Sequence, residues 1–439
     1  MFSPASLIPG PGLPGIFNMR LLYVHEITFM NKREVHMVQL ISVIICSLSF
    51  TLSSTGCSSK SKGDSGDNGP APTISVNDVT LFEGNSGNTN FEFLVTLDKL
   101  STREITVNYS IVSGSAKAGE DYVVPASSSV VIPAGETQKK IIIPVVGDDI
   151  KEGDDAFTVQ LQNPVNGSLL KLVGNGTIRN DDTRVAYTNT GYEAPTSYPG
   201  LALKWSDEFN GPTLDATIWG HQNGDGCPGI CGWGNNELEF YTDRPENLYF
   251  QNGKMIIEAR PESYQGKNYT SSKILTQGKK PIKFGRIDIR AVLPKGKGIW
   301  PAFWLMPEKS VFGGWPKSGE IDLMEVVGHE PGKTHGTLHF GPGPGSTQIS
   351  RNFSLPAKTF NDEFHVFSLE WKEDQIKWLV DGNVFSTVNK ADLGANNYPF
   401  NEEFFVIVNL AVGGNWPGSP DASTYFPQFL IVDYIRVYQ

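Results

Sequence analysis

Cysteine, positive charge and long apolar runs at helical spacing are all scarce in this 439-residue chain. Lys and Arg number 36 against 47 Asp and Glu, giving a formal charge of −11 and a pI near 5.2. With no basic stripe, a nucleic-acid partner is disfavoured. No internal repeat is visible. Glycine (46) and proline (29) are plentiful, and that composition suits an all-β protein rich in turns. Several chemistries also lack their motifs. His335 and His339 are four residues apart, which on a strand is about 13 Å, too far to share a zinc ion. "GHEPG" lacks the second helical His of a zinc protease, and Pro331 would break a helix there. "GPGPG" at 341–345 has no Lys-Ser/Thr and no following helix, so it is not a phosphate loop.

Only four cysteines are present, and the export signal claims two of them. "MNKREVHMVQLISVIICSLSFTLSSTGC" has Lys32 and Arg33, an apolar run from Val38, then small residues. The run is too short and Ser-rich for a transmembrane helix. Its end, "SSTGC", resembles a bacterial lipobox, with Ser54 in place of the usual Leu. Residues 1–57 are therefore expected to be a misassigned start, with Met30 the better one, followed by a lipoprotein signal with Cys57 as the lipidated mature N-terminus. An ordinary secretory signal is the alternative. Cys46 leaves with the signal. Cys227 and Cys231, in "GDGCPGICGW", read as a local disulfide in an exported chain, a reduced pair being the alternative. The protein is expected in a bacterial cell envelope, anchored at the outer surface or in the periplasm, or else secreted. Residues 58–72 read as a flexible tether.

From 73 to 183, short alternating segments such as "FEFLVTL", "EITVNYSIV" and "DAFTVQL" predict a sandwich of about seven strands. Acids cluster at the apparent strand ends. The order "FEG", "EDY", "VIPAGETQKKIIIPVVGDDIKEGDDAFTVQLQNP", "GTIRNDD" resembles the Calx-beta domain, an immunoglobulin-like β-sandwich. The resemblance implies calcium at Glu83, Asp121, Asp148, Asp149, Glu152, Asp155 and Asp182, although Asp155 stands where the family often has Glu. Calcium takes six to eight oxygen ligands, which convergent carboxylates supply. Solvated loop acids are the alternative.

Residues 184–190 form a linker, and 191–439 make a second β-rich domain. All nine tryptophans lie at 205 and beyond. Such rings are either buried or offered as flat surfaces for the C–H faces of sugars. "ENLYFQN" at 246–252 looks like an engineered cleavage tag. It runs through Asn252-Gly253, a hairpin signal, into "GKMIIEA", and reads as native strand. "SGEIDLMEVVG" (318–328) carries Glu320, Asp322 and Glu325 on an alternating strand. On a regular strand Glu325 would point into the core, which an ionised Glu resists. A β-bulge near Met324 resets the alternation and brings all three acids to one face. The two Glu then stand about four strand steps apart, roughly 13 Å at Cα, with leaning carboxyls on the order of 5 Å apart, the separation of a retaining glycosidase. Three crowded acids push their pKa values apart, and Asp322, too short to reach a scissile bond, is suited to tuning its neighbours. A polar face on an edge strand is the bland alternative.

The flanks decide otherwise. "KFGRIDIRAVLPKGKGIWPAFWLMP" sets Trp300, Ala302 and Trp304 on one face. Trp315 precedes the acids, "THGTLHF" follows them, and "VIVNLAVGGNWPGSP" supplies Asn409 and Trp416. With "GWGNNELEFYT" and "FLIVDYIRVYQ", these motifs resemble glycoside hydrolase family 16, and within it the laminarinase-like β-1,3-glucanases. The resemblance implies a β-jelly-roll sandwich with the bulge inferred above and an endo-acting, retaining hydrolase of β-1,3-linked or mixed β-1,3-1,4-glucan. It assigns Glu320 as nucleophile, Glu325 as general acid/base and Asp322 as their electrostatic partner. It also implies a substrate cleft formed by Asn236, Arg286, Trp300, Trp304, Trp315, His339 and Trp416. No cofactor is expected for catalysis. A structural calcium on the convex side is implied at Asp433, with carbonyls near Glu208 and Gly253. The expected partner is the glucan and the expected state a monomer. A same-fold hydrolase of agar or carrageenan, or a non-catalytic β-glucan-binding protein, are the rivals.

Overall fold

The computed structural model describes residues 70–343 and 347–439; the signal, Cys57 and nearly all of the tether lie outside them. The N-terminal unit is a sandwich of two sheets. One orders Gln138–Gly147, Gly87–Leu97, Thr73–Val76 and Ser168–Lys171. The other orders Val79–Phe82, Val173–Arg179, Asp155–Val165, Ile105–Ser113 and Ser129–Ile132. Phe91, Phe93 and Val95 alternate into the core against Phe157 and Tyr122, as the sequence pattern predicts. These nine segments are seven strands, because two of them change sheets, at Asn77–Asp78 and at Leu172. Asp78 ties the two crossings together: its carboxylate accepts from Asn175 N at 2.8 Å and from Lys171 Nζ at 2.7 Å.

The larger unit packs a ten-stranded sheet on a seven-stranded one, and a continuous apolar core fills the space between them. The seven-stranded sheet runs Gly220–His221, Lys273–Leu275, Phe404–Val412, Ile299–Pro307, Glu320–Glu325, Lys333–His339, Gln348–Ser354. Its strands alternate strictly where the sequence does: Ile299, Phe303 and Leu305 enter the core, while Trp300, Ala302, Trp304 and Met306 line the opposite face. "ENLYFQN" is part of the fold, as a hairpin of Leu248–Gln251 with Lys254–Tyr264. Asn252 and Gly253 take φ of 50° and 73° in its turn, the left-handed geometry that a two-residue hairpin loop needs. Cys227 and Cys231 are joined by a disulfide. Among the described residues, no helix is long and apolar enough to cross a membrane.

Candidate active site

The Glu320–Glu325 strand pairs with Ile299–Pro307 on one side and Lys333–His339 on the other. Asp322 faces Thr337 but Glu325 faces His335, so three residues span two. On the other side Phe303 pairs with Met324 and Trp304 with Asp322, which leaves Leu323 as the extra residue of a bulge. Leu323 and Met324 both turn into the core, and Glu320, Asp322 and Glu325 all open on one cavity of about 670 Å³. At the bulge Trp378 Nε1, reaching across from the opposite sheet, donates to the Asp322 carbonyl at 2.8 Å. That indole lies flat against Gly336, where a Cβ would stand 2.4 Å from a ring atom. Gly336→Ala is therefore expected to displace Trp378 and to cost about 1–3 kcal/mol, measured by urea denaturation; an unchanged midpoint would mean the indole does not brace the bulge.

Each Glu receives one indole N–H. Trp315 Nε1 donates to Glu320 at 2.8 Å, and Trp300 Nε1 to Glu325 at 3.2 Å. His339 Nε2 lies 3.8 Å from Glu320 and 3.2 Å from Asp322 Oδ2, close to the latter but out of line for a hydrogen bond, so that buried oxygen has no donor. The acids therefore stay protonated to unusually high pH. Burial first, then the Asp322 charge, pushes Glu320 up to about 8 against the pull of His339, Trp315 and Lys273. Burial raises Asp322 as well. Glu325 is raised well above the usual range, by burial and then by Asp322 and Glu320.

A carboxyl whose pKa rises on folding binds more protons in the native than in the unfolded chain. For Glu320 the contribution to stability therefore falls as pH rises from the unfolded value near 4.5 toward the folded one near 8, and for Glu325, also raised, it falls as pH rises above the unfolded value. Glu325→Gln removes such a group. It is expected to raise the melting temperature at pH 8 by more than at pH 5, the difference reaching at least about 1 kcal/mol, or about 2–4 °C. Equal shifts at both pH values would contradict the crowding.

Of the tryptophans, Trp233, Trp300, Trp304, Trp315 and Trp416 line the cavity. Trp219, Trp371 and Trp378 are core, and Trp205 packs against it. His339 lines the cavity. Asn236 does not: it sits on the rim with its amide bonded to Asn415 at 2.8 Å, and its neighbours Asn235 and Glu237 form the wall. Arg286 is a correction. Ile287 and Ile289 occupy the core, so strand alternation turns Arg286 to the outer face of the ten-stranded sheet. There it binds Asp288, Glu370 and Ser368 and lies over Tyr198.

Lys273 escaped the sequence reading. It is almost wholly buried yet lines the cavity, with Nζ 4.2 Å from the Trp233 ring and 4.9 Å from that of Trp304. Burial brings its pKa down to about 8 despite Glu237, Glu239 and Glu320 nearby. The signal was a lone charge in the buried strand segment "SSKIL". Asn409 accepts from Trp304 Nε1 at 2.7 Å and donates to Tyr241 at 3.0 Å, fixing that indole in the wall.

The two implied calcium sites part company. In the sandwich, carboxylate oxygens of Asp121, Glu152 and Asp155 lie within 4.8 Å of one another. Glu83, pushed up to about 7 mainly by burial, also feels Glu152, Asp148 and Asp182, and the buried Asp182 Oδ2 has no partner. That donor set fits a calcium ion. Asp149 does not belong to it, being paired with Arg184. On the catalytic unit the residues do not fit. Asp433 is already bound by Lys254 at 2.7 Å and by Arg290 at 2.5 Å. Two internal cations neutralise the carboxylate that a metal would need.

A bulged strand presenting two facing Glu under tryptophan rings, in an open groove on a two-sheet sandwich, defines a carbohydrate-active protein equipped for acid–base chemistry. Residues 232–428 match glycosyl hydrolases family 16, and residues 68–181 match the Calx-beta domain. The chain is 40% identical over 254 residues to a "Beta-glucanase" of Rhodothermus marinus, covering 55% of this chain and 86% of that protein. It is 39% identical over 312 residues to "Glucan endo-1,3-beta-glucosidase A1" of Niallia circulans, 64% of this chain, but spans only 46% of that protein's length. Among solved structures, the laminarinase catalytic domain of Thermotoga maritima superposes with a TM-score of 0.52 at 46% identity, over 54% of this chain and 98% of that one. The chain belongs to glycosyl hydrolase family 16.

Proposed function

We propose that this protein is an endo-acting, retaining glycoside hydrolase that cleaves β-1,3-linked glucan, laminarin or a mixed β-1,3-1,4-glucan, by double displacement. The observation that carries the reading is the pair of indole-bonded Glu on one bulged strand in a tryptophan-lined cleft. The names of its relatives, laminarinases and glucan endo-1,3-β-glucosidases, support the substrate class.

Glu320 takes the part of the nucleophile that the family resemblance gives it; Trp315, His339 and Lys273 favour its anion. Its carboxylate attacks the anomeric carbon while protonated Glu325 gives its proton to the departing glycosidic oxygen. A covalent glycosyl ester on Glu320 results. Glu325, now a carboxylate, takes a proton from water, whose oxygen attacks the same carbon from the opposite face and expels Glu320. Asp322, sharing the cluster, opposes full ionisation of its neighbours. Trp300, Trp304, Trp315 and Trp416 offer apolar faces to the sugar rings, with His339 as a polar contact.

The tryptophan-rich wall argues for the neutral glucan over agar or carrageenan; hydrolysis of agarose but not laminarin would reverse that. A relative named "Beta-1,3-glucan-binding protein", of Penaeus monodon, is 33% identical over 252 residues, but the presence of both Glu here argues for catalysis over binding alone. The lipobox-like "SSTGC" supports anchoring at Cys57 in a bacterial envelope, testable by mass spectrometry of the mature N-terminus. Proton NMR of laminarin during early turnover tests the central reading: β-anomeric reducing ends appearing first support retention, and α-anomers first would sink the roles given to the two Glu.

A further inference from the structure

The loop between the Gln138–Gly147 and Asp155–Val165 strands carries two sets of residues that alternate along it. Asp148, Glu152 and Asp155 belong to the acidic group that also takes in Asp121, Glu83 and Asp182. The residues between them face the rest of the chain. Asp149 holds Arg184 in the linker, and Lys151 N donates to the Arg184 carbonyl at 2.8 Å. Lys151 Nζ then reaches the catalytic unit. It meets Glu258 at 2.5 Å, a carboxylate that is only 1% exposed, and lies 4.9 Å from the Tyr249 ring centre. Gly153 lies against the loop that follows Trp416: a Cβ there would stand 2.2 Å from the Phe426 carbonyl oxygen. Tyr425 of the same loop lies within electrostatic range of Lys117, four residues before Asp121.

Independent of the clustering itself, the Asp182 Oδ2 within this group is buried and without a hydrogen-bond partner, on a residue 7% exposed. An uncompensated buried carboxylate oxygen is costly unless a cation completes it. A loop whose alternate residues are metal ligands and docking contacts cannot set one without setting the other.

We propose that a calcium ion held by the Asp121, Glu152 and Asp155 group fixes the 148–155 loop in the conformation that docks the sandwich onto the catalytic unit through Lys151 and Gly153. Calcium then acts on the catalytic unit at a distance, through a contact surface and not through a site in that unit, whose Asp433 is neutralised from within.

The test is hydrogen–deuterium exchange of the full chain with and without millimolar calcium chloride, read on peptides spanning 421–428, with calorimetric titration of calcium in parallel. In the wild type, calcium is expected to slow exchange in 421–428 several-fold. In Lys151→Met and in Gly153→Ala, which leave every acid in place, calcium should still bind but the slowing in 421–428 should vanish. Three results would each overturn the proposal: no calcium binding at millimolar metal, binding that leaves 421–428 unchanged in the wild type, or slowing that persists in both variants. Using two variants guards against either one misfolding, and none of the readouts depends on glucan turnover.

Discussion

Glu320→Gln is expected to lower laminarin hydrolysis by about 10⁴-fold or more in kcat while leaving the protein folded and able to bind glucan. The amide occupies the carboxylate's space and its oxygen can still accept the Trp315 N–H that Glu320 accepts at 2.8 Å, so the cleft wall keeps its shape. It cannot form the glycosyl ester, and without that step the route by retention is closed. The loss should fall on kcat with KM little changed, because Glu320 stabilises the transition state far more than the bound ground state. Removing one of three crowded acids should also stabilise the fold at neutral pH, since Glu320 is among the groups that burial and Asp322 hold protonated. Loss of activity together with a higher melting temperature is the signature of a catalytic group and not of a structural one. Hydrolysis within tenfold of the wild type would remove Glu320 from the reaction.

For Glu325→Ala the expected loss on laminarin is about 10²–10⁴-fold, and it should depend on the leaving group. A sugar alkoxide cannot depart without a proton, whereas an acidic phenol can. With an activated aryl β-oligoglucoside the first step therefore survives and the second, deprived of its base, becomes limiting. Glu325 lies beneath Trp300, which donates to it at 3.2 Å, so removing the carboxylate opens a space without an anion beside the reacting carbon. Azide, which needs no deprotonation, should enter there, attack the anomeric carbon and displace the Glu320 carboxylate. The measurement is the turnover rate of the aryl substrate against azide concentration, with NMR of the product. Acceleration with formation of the β-glycosyl azide supports the assignment, and an absence of rescue, or the α-azide, contradicts it.

The bulge was legible in the sequence because parity is a hard constraint. Three acids at odd and even offsets on a strand with a buried face admit few solutions, and the one with an extra residue at Leu323 is the one the chain adopts. Trp300 and Trp304 were legible for the same reason, being four apart, an even number, on a strand whose other face is Ile299, Phe303 and Leu305. Arg286 was not. Ile287 and Ile289 mark the core face of its strand, but nothing local to "GRIDIR" tells that this strand belongs to the sheet away from the cleft, where Arg286 meets Tyr198. The neutralisation of Asp433 is a property of convergence: Arg290 lies 143 residues earlier in the chain and Lys254 on yet another strand, and local pattern carries no trace of their meeting. Lys273 shows the opposite failure. A single charge on a short strand reads as solvent-facing, yet aromatic rings on either side leave it buried with its amine toward the cleft.

The uneven distribution of tryptophan has an optical consequence. No indole precedes Trp205, so ultraviolet emission excited at the red edge of the absorption band comes from the catalytic unit alone, while the sandwich, with Tyr109 and Tyr122 in its core, is dark. Five of the nine emitters border the groove, and their spectrum should shift when an oligosaccharide excludes water from it. The protein thus carries its own occupancy sensor, spectrally blind to its N-terminal half, and titrating glucan into the Glu320→Gln variant would read that sensor without any label.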